Sequence, residues 1–263
     1  MKNHHSPVRL VFCWVILLLI VGCNTKQPTS TSAATTKMES IDTPTSNETE
    51  WTYVALGDSE TLCCGLHTYP EYYAEFIEQD KHVNVVLHNL GVSGLTSEEL
   101  LLRLDTDRYR ELISKAQVIT IVISMNDLLL CPQGDRECAE AKLIATKENY
   151  IAIIAKVFEL VNGNEVIIRL QTYDNPFVKV WQESGVFEDR VTLFDRWNEQ
   201  IIEIATQHKI PVADVYHDFN GLQGDEDPIE KGYISDDGMH NSDAGIRRMA
   251  ELLRDLGYAS LSP

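Results

Sequence analysis

The sequence has few basic side chains: its 263 residues include 22 Lys and Arg against 40 Asp and Glu, a formal net charge of −18. A negative field of this kind repels nucleic-acid phosphates and anionic lipid surfaces. We therefore expect no nucleic-acid partner and no docking to membranes through a basic patch. Internal repeats are also missing, so the chain length predicts one domain of ordinary catalytic size.

A hydrophobic run long enough to span a bilayer is missing at the N-terminus. The apolar run over residues 10–21 follows a basic start but is shorter than the roughly 20 residues that a spanning helix needs. It is typical of a cleaved signal peptide, predicted here over 1–22. Its end, Ile20-Val21-Gly22-Cys23, resembles the lipobox of bacterial lipoproteins, in which the cysteine receives the lipid. We expect Cys23 to anchor the protein to the outside of a bacterial membrane; an ordinary signal anchor with a chance cysteine is the alternative.

Aliphatic side chains are almost absent from residues 23–50, which are rich in Ser, Thr, Asn and Pro. Such a segment cannot bury enough apolar surface to offset the entropy cost of ordering. We predict a disordered tether over 23–50 that joins the lipid anchor to a folded domain over 51–263.

Cysteine is scarce, with six in the chain, and two of these, Cys13 and Cys23, belong to the signal and the anchor. Cys131 and Cys138 bracket a short polar loop that a local disulfide could close, and an extracytoplasmic location allows disulfides to persist. We predict this disulfide, although four cysteines permit three pairings.

A metal-ligand motif is missing as well. Cys63, Cys64 and His67 could in principle hold zinc, but their spacing matches no common ligand pattern. We therefore expect no metal, and the partners of Cys63 and Cys64 stay open.

From Trp51 onward, apolar runs rich in Val and Ile alternate with segments of helical period, which is typical of a parallel α/β sheet. The runs predict strands at 52–56, 83–87, 118–123, 166–170 and 211–215. The segments between them predict helices at 69–79, 97–103, 137–160, 191–208 and 243–256. We expect a three-layer αβα sandwich with a five-stranded parallel sheet, whose functional residues lie beyond the carboxyl ends of the strands.

A serine follows the first predicted strand, in Gly57-Asp58-Ser59. At the carboxyl edge of the sheet Ser59 could act as a nucleophile, with Asp58 holding the turn through backbone N–H groups. An Asx-turn with an exposed serine is the alternative. Ser93 is a rival nucleophile, but its surroundings lack the Gly-x-Ser-x-Gly spacing of the α/β-hydrolases.

Two further strand ends carry groups that could bind a developing negative charge. Gly94 follows the second strand and could present a bare backbone N–H, while Asn126 follows the third and could donate from its amide. Loop sterics at Gly94 and helix capping by Asn126 are the structural alternatives.

An Asp-x-x-His segment precedes the last predicted helix and places Asp237 three residues before His240. One loop could thus supply both a base and the carboxylate that fixes its tautomer. Asp214 and His217, after the fifth strand, have the same spacing. From spacing alone the two segments are nearly equal candidates, and a structural histidine at a helix cap is a third possibility.

Together, the Gly-Asp-Ser segment, Gly94, Asn126 with Asp127, and Asp-x-x-His resemble the four blocks of the SGNH (GDSL-type) hydrolases, in the same order over about residues 51–256. The resemblance implies a flavodoxin-like SGNH fold, Ser59 as nucleophile, His240 as base and Asp237 as its orienting partner. It also implies an oxyanion hole formed by the Ser59 and Gly94 N–H groups and the Asn126 side chain.

Two residues depart from the family pattern. Ser124 stands where the third block usually has Gly, and Glu60 replaces the usual Leu after the nucleophile. We expect Ser124 to affect substrate fit, and Glu60 to place a charge beside Ser59 that disfavours anionic substrates.

Residues 171–196 are predicted to form a loop with four aromatic side chains: Tyr173, Phe177, Trp181 and Phe187. These side chains could line an acyl or sugar pocket or, alternatively, form a buried cluster.

The predicted activity is hydrolysis of carboxylic esters or thioesters of lipids or small alcohols through an acyl-enzyme, without a cofactor. Removal of acetyl groups from polysaccharides uses the same machinery and is the alternative enzyme. A catalytically idle surface-binding lipoprotein is the non-enzymatic alternative. The sequence makes no prediction of oligomeric state.

Overall fold

The computed structural model describes residues 49–62, 65–132 and 135–261. The predicted signal peptide, Cys23, nearly all of the tether, and Cys63 and Cys64 lie outside these residues. Within them, no helix is both long enough and apolar enough to cross a membrane.

The centre of the domain is a parallel sheet of five strands in the order β2-β1-β3-β4-β5, which confirms the predicted α/β class. The strands are β1 Glu50–Gly57, β2 Asn84–Asn89, β3 Val118–Val122, β4 Ile167–Gln171 and β5 Val212–Ala213. All residues of β3 and β4 are buried, because helices cover both faces of a parallel sheet.

Ten helices lie within the described residues, and most of them form two packed groups. The helices α2 and α10 contact each other, whereas α6 contacts α3, α4, α5 and α8. Their bounds are α1 Ser59–Leu62, α2 Tyr69–Lys81, α3 Ser97–Arg103, α4 Asp107–Ser114, α5 Met125–Leu129, α6 Arg136–Val161, α7 Val178–Glu183, α8 Phe187–Gln207, α9 Val215–Asn220 and α10 Asp243–Asp255.

The five predicted helices are present as α2, α3, α6, α8 and α10, with ends that differ by a few residues at most. The five helices that the sequence did not predict have four to eight residues, too short to display a helical period. The prediction of a loop over 171–196 is wrong, since α7 and the start of α8 occupy much of it.

The last helix begins where its cap dictates. The Ser242 hydroxyl accepts the backbone N–H of Gly245, so Ser242 is the N-cap. The apolar side of α10 is then buried, including Ile246, Met249 and Leu253. This fixes the loop that immediately precedes α10.

The register of β1 and β3 sets the position of the first loop. Gly57 pairs with Val122, and the backbone N–H of Asp58 still donates to the Val122 carbonyl at 3.2 Å. A Cβ at Gly57 would collide with this carbonyl and with the Thr61 side chain, so glycine is required here. The chain then leaves the sheet at once, and Ser59 lies at its carboxyl edge.

Candidate active site

Asp58 holds the turn that presents Ser59. Its Oδ1 accepts the Glu60 N–H at 3.1 Å, and its Oδ2 accepts the Tyr173 hydroxyl at 2.6 Å. Asp58 is only 1% exposed, and burial raises its pKa to about 7 despite these two donors. The predicted Asx contact is therefore present, with an additional tyrosine contact that the sequence did not indicate.

Ser59, His240 and Asp237 form one hydrogen-bonded chain. His240 Nε2 lies 3.2 Å from Ser59 Oγ, and His240 Nδ1 lies 2.7 Å from Asp237 Oδ2. This geometry leaves Nε2 of a neutral imidazole as the acceptor facing the serine hydroxyl, if Nδ1 carries the proton.

Asp237 is fixed by its own loop. Its Oδ1 accepts the N–H groups of Met239 and His240, both at 2.9 Å, and the Ser235 hydroxyl at 2.8 Å. Burial opposes ionisation, but the hydrogen bonds from His240, Met239 and Ser235 outweigh it and hold the pKa of Asp237 well below its usual range. Asp237 is therefore an anion, able to stabilise positive charge on the imidazole.

The second Asp-x-x-His segment has the same internal geometry but a different location. His217 Nδ1 lies 2.7 Å from Asp214 Oδ2, and Asp214 caps α9 by accepting the His217 N–H. Asp214 also accepts the Thr172 hydroxyl at 3.1 Å. His217 makes no hydrogen bond to Ser59 and lines no part of the cavity at Ser59.

Asn126 and Gly94 line the same cavity as Ser59. One hydrogen of the Asn126 amide is donated to the Leu95 carbonyl at 3.0 Å, which orients the side chain and leaves the second hydrogen for a ligand. Gly94 has φ +77°, and no other atom approaches the position of a Cβ there. Its backbone therefore borders open space.

The residues flanking Asn126 explain its placement. Asp127 accepts both the backbone N–H and the hydroxyl of Ser97 at 2.8 Å, joining α5 to the start of α3. Ser124 has φ +114°, a conformation that favours glycine, and its hydroxyl accepts the indole N–H of Trp197 at 3.0 Å. The family departure at Ser124 thus retains glycine-like backbone and adds a buried hydrogen bond.

A pair of buried carboxyl groups lies beside the catalytic loop. The Asn241 amide donates to Glu60 at 2.7 Å and to Asp174 at 3.1 Å. Burial raises the pKa of Asp174 to about 6, and burial together with the charges of Asp174 and Asp58 raises the pKa of Glu60 well above its usual range. Glu60 is therefore buried against Asn241, and its raised pKa opposes the charge that the sequence analysis expects beside Ser59.

A cavity of about 200 Å³ joins these groups, and its walls include Ser59, Gly94, Asn126 and His240. Ser93, the rival nucleophile, also lines it but has no hydrogen bond to an imidazole among the described residues. No group of three or more His, Cys, Asp or Glu side chains is placed to ligate a metal in the described part of the chain. Cys63 and Cys64 of the zinc alternative lie outside that part.

The sequence profile of the GDSL-like Lipase/Acylhydrolase family matches residues 55–248, which include all the residues of this cavity. The chain belongs to this family. The resemblance deduced from the four sequence blocks is thus confirmed, and with it the prediction of an enzyme that hydrolyses ester bonds.

This GDSL-like hydrolase is similar to two lipases and to an acetylxylan esterase. The spore germination lipase LipC of Bacillus licheniformis is 30% identical over 224 residues, 80% of this chain and 97% of LipC. The crystal structure of the lipase Lip_vut3 from a goat rumen metagenome has a TM-score of 0.66 and 29% identity, covering 80% of this chain and 98% of that one. Axe2, an acetylxylan esterase from Geobacillus stearothermophilus, shares the fold, with a TM-score of 0.59, 21% identity, and coverage of 80% and 95%.

Sequence reasoning missed the contacts of three residues of this GDSL-like site. Tyr173, for which the sequence allows either a pocket wall or a buried aromatic cluster, stacks on Trp197, lines the catalytic cavity and donates to Asp58. Asp174 and Asn241 had no signal, because their partner Glu60 is distant in the sequence from both. Only the folded chain brings these side chains together.

Proposed function

We propose that this protein is a serine ester hydrolase in which Ser59 is the nucleophile, His240 the general base and Asp237 the residue that orients and stabilises His240. The observation that carries the proposal is the hydrogen-bonded chain from Ser59 Oγ through His240 to Asp237. The family membership supports it, because ester hydrolysis by an activated serine needs this combination of groups.

In the first step, Ser59 Oγ attacks the acyl carbon while its proton passes to His240 Nε2. The carbonyl oxygen becomes an oxyanion, for which the N–H groups of Ser59 and Gly94 and the Asn126 amide are the proposed donors. Collapse of this intermediate breaks the bond to the alcohol or thiol, which leaves with the proton from His240. The acyl group remains as an ester on Ser59.

In the second step, His240 takes a proton from water as the water oxygen attacks the acyl-enzyme. The same donors stabilise the second oxyanion, and its collapse returns the proton to Ser59 Oγ and releases the carboxylic acid. Ionised Asp237 stabilises the imidazolium that forms in both steps.

A fluorophosphonate probe tests the nucleophile directly. We expect labelling of the folded protein at one site, found at Ser59 by peptide mapping, and loss of label in Ser59→Ala. Ser93→Ala is the matched control, because Ser93 lines the same cavity, and it should label normally. Label that persists in Ser59→Ala and disappears in Ser93→Ala would reverse the assignment.

Carboxylic esters or thioesters with an apolar acyl group are the proposed substrates. Support comes from LipC and Lip_vut3, which are both lipases and are 30% and 29% identical to this chain. The polysaccharide deacetylase alternative rests on Axe2, at 21% identity. Hydrolysis of p-nitrophenyl esters against release of acetate from acetylated xylan separates these substrates.

Attachment to a bacterial membrane through lipid on Cys23 remains part of this proposal. The lipobox-like residues and the short apolar run before them support it. We expect a clickable palmitate analogue to label the protein in a bacterial host and the label to be lost in Cys23→Ala. Equal labelling of both proteins would reject this anchor.

A further inference from the structure

A second cavity, of about 280 Å³, lies next to the catalytic one. Its walls come from α5 with the two described residues that follow Leu130, from the start of α6, from α7 and from the first turns of α8. Its apolar walls include Leu128, Pro132, Trp181, Leu193 and Phe194. We name it the side cavity.

The side cavity adjoins the catalytic cavity through shared walls. Met125, Leu129 and Phe177 line both. Met125 directly precedes Asn126, the proposed oxyanion donor, so the side cavity begins one residue from the point at which the substrate carbonyl would bind. A substituent on the acyl carbon can therefore enter it without leaving the protein surface.

The chemistry of the walls selects an uncharged, apolar occupant. Phe177 stacks on Trp181 at 5.9 Å between ring centroids, and Trp181 meets Phe194 edge-on at 6.1 Å. The charged residues that line this cavity balance each other, two acids against two bases: Asp135, Asp189, Arg136 and Arg190. No net charge is present to hold a phosphate or a sugar acid.

The volume sets the size of that occupant. A dry protein cavity of about 150 Å³ holds benzene, with its six carbons. At about 280 Å³, the side cavity has room for roughly eleven carbons on the same scale. An acetyl group would leave it empty.

The disulfide Cys131–Cys138 forms part of the wall. It is present in the structure as the sequence predicts, with its Cα atoms 5.7 Å apart. Cys131 lines the side cavity, and the bond ties the end of α5 to the first turn of α6. The wall between the two helices is thereby held in place.

We propose that the side cavity binds the acyl chain of the substrate and makes the enzyme selective for medium-chain acyl esters of about ten to twelve carbons. This inference rests on the proposed serine esterase function, since the chain is positioned by attack of Ser59 on its carbonyl. We expect burial of each methylene in such a cavity to increase kcat/KM by about fourfold.

The test is a series of p-nitrophenyl esters from two to sixteen acyl carbons. For the native protein we expect kcat/KM to rise with length up to about ten to twelve carbons and then to level off or fall. Ala139→Trp places an indole in the side cavity from α6, and should reduce kcat/KM for the octanoyl ester by about tenfold or more, leaving the acetyl ester within about twofold.

Ala145→Trp is the matched control, because Ala145 is exposed on the same helix and lines neither cavity. It should keep the native length profile. Leu193→Trp, from the opposite wall on α8, should repeat the effect of Ala139→Trp if that variant fails to fold by circular dichroism.

Two results would overturn the side cavity as an acyl site: a native preference for the acetyl ester, or an unchanged length profile in a folded Ala139→Trp or Leu193→Trp protein. Failure of the esterase proposal looks different. It would show as no hydrolysis of any ester in the series, including acetyl, and no fluorophosphonate label on Ser59.

Discussion

Two loops of this protein carry the same Asp-x-x-His spacing and make the same local contact. In each, the Nδ1 atom of the histidine lies 2.7 Å from the carboxylate three residues before it. They differ in their surroundings. The Nε2 atom of His240 faces Ser59, whereas His217 lies in the first turn of α9, beside Tyr216. Local spacing therefore determines the pair, and the position of the loop on the sheet determines whether the pair can act on the serine.

The largest expected effect comes from removing each histidine in turn. His240→Ala should lower kcat by about 10⁴ to 10⁶, as loss of a triad base does, whereas His217→Ala should cost less than about fivefold. Both variants are assayed on one activated ester after their folding is checked by circular dichroism. An inactive His217→Ala protein beside an active His240→Ala protein would move the base to the other loop.

The carboxylates extend the same comparison with a smaller effect. Asp237→Asn should lower kcat by about 10⁴, because the amide favours the wrong imidazole tautomer and provides no negative charge. Asp214→Asn should keep nearly native kcat, since an asparagine can still cap α9. Similar losses in the two variants would mean that the carboxylate in the active loop has no special role.

A variant of Asn126 tests stabilisation of the oxyanion separately from the action of the base. Asn126→Ala should lower turnover by about 100-fold to 1000-fold, or roughly 3 to 4 kcal/mol, less than the loss in His240→Ala. Asn149→Ala is a useful control, because Asn149 donates to Ser97 in the same region but lines neither cavity. Near-native turnover in a folded Asn126→Ala protein would remove this residue from the oxyanion hole.

The sequence predicts those features of this molecule that have a signal within one short stretch of the chain. Ser59, Asn126 and His240 could be placed because each lies just past a strand or just before a helix, and parallel strands end at one edge. The choice between His240 and His217 could not be made from spacing, and came from the resemblance to the family. The Cys131–Cys138 bond was predictable because both cysteines border one short loop.

The side cavity and the buried carboxyl pair could not be predicted, because the residues that form them come from separate parts of the chain. The side cavity is built from four chain segments, and one of its helices, α7, is too short to show a helical period. Asn241 bridges Glu60 and Asp174, which are both far from it along the chain. Such contacts depend on packing, for which a single sequence carries no periodic signal.

The smallest expected effect concerns the acids beside the active loop, whose environments push their pKa values in opposite directions. Hydrogen bonds lower the pKa of Asp237, whereas burial raises the pKa of Asp174 to about 6. An unfolded Asp titrates near 4, so between about pH 4 and pH 6 the folded protein binds more protons at Asp174 than the unfolded chain does. The stability that protonated Asp174 contributes is present below about pH 4 and is lost as the pH rises through 6.

Asp174→Asn removes proton uptake at this position and keeps a side chain that can form a hydrogen bond with Asn241. We expect the free energy of unfolding, measured in urea at pH 5 and pH 8, to fall less with rising pH in Asp174→Asn than in the native protein, by on the order of 1 kcal/mol. Asp236→Asn is the matched control, since Asp236 is exposed in the same loop, and should keep the native pH dependence. If Asp174→Asn instead steepens the loss of stability at high pH, Asp174 is ionised in the folded protein and its charge, rather than its proton, supports the site.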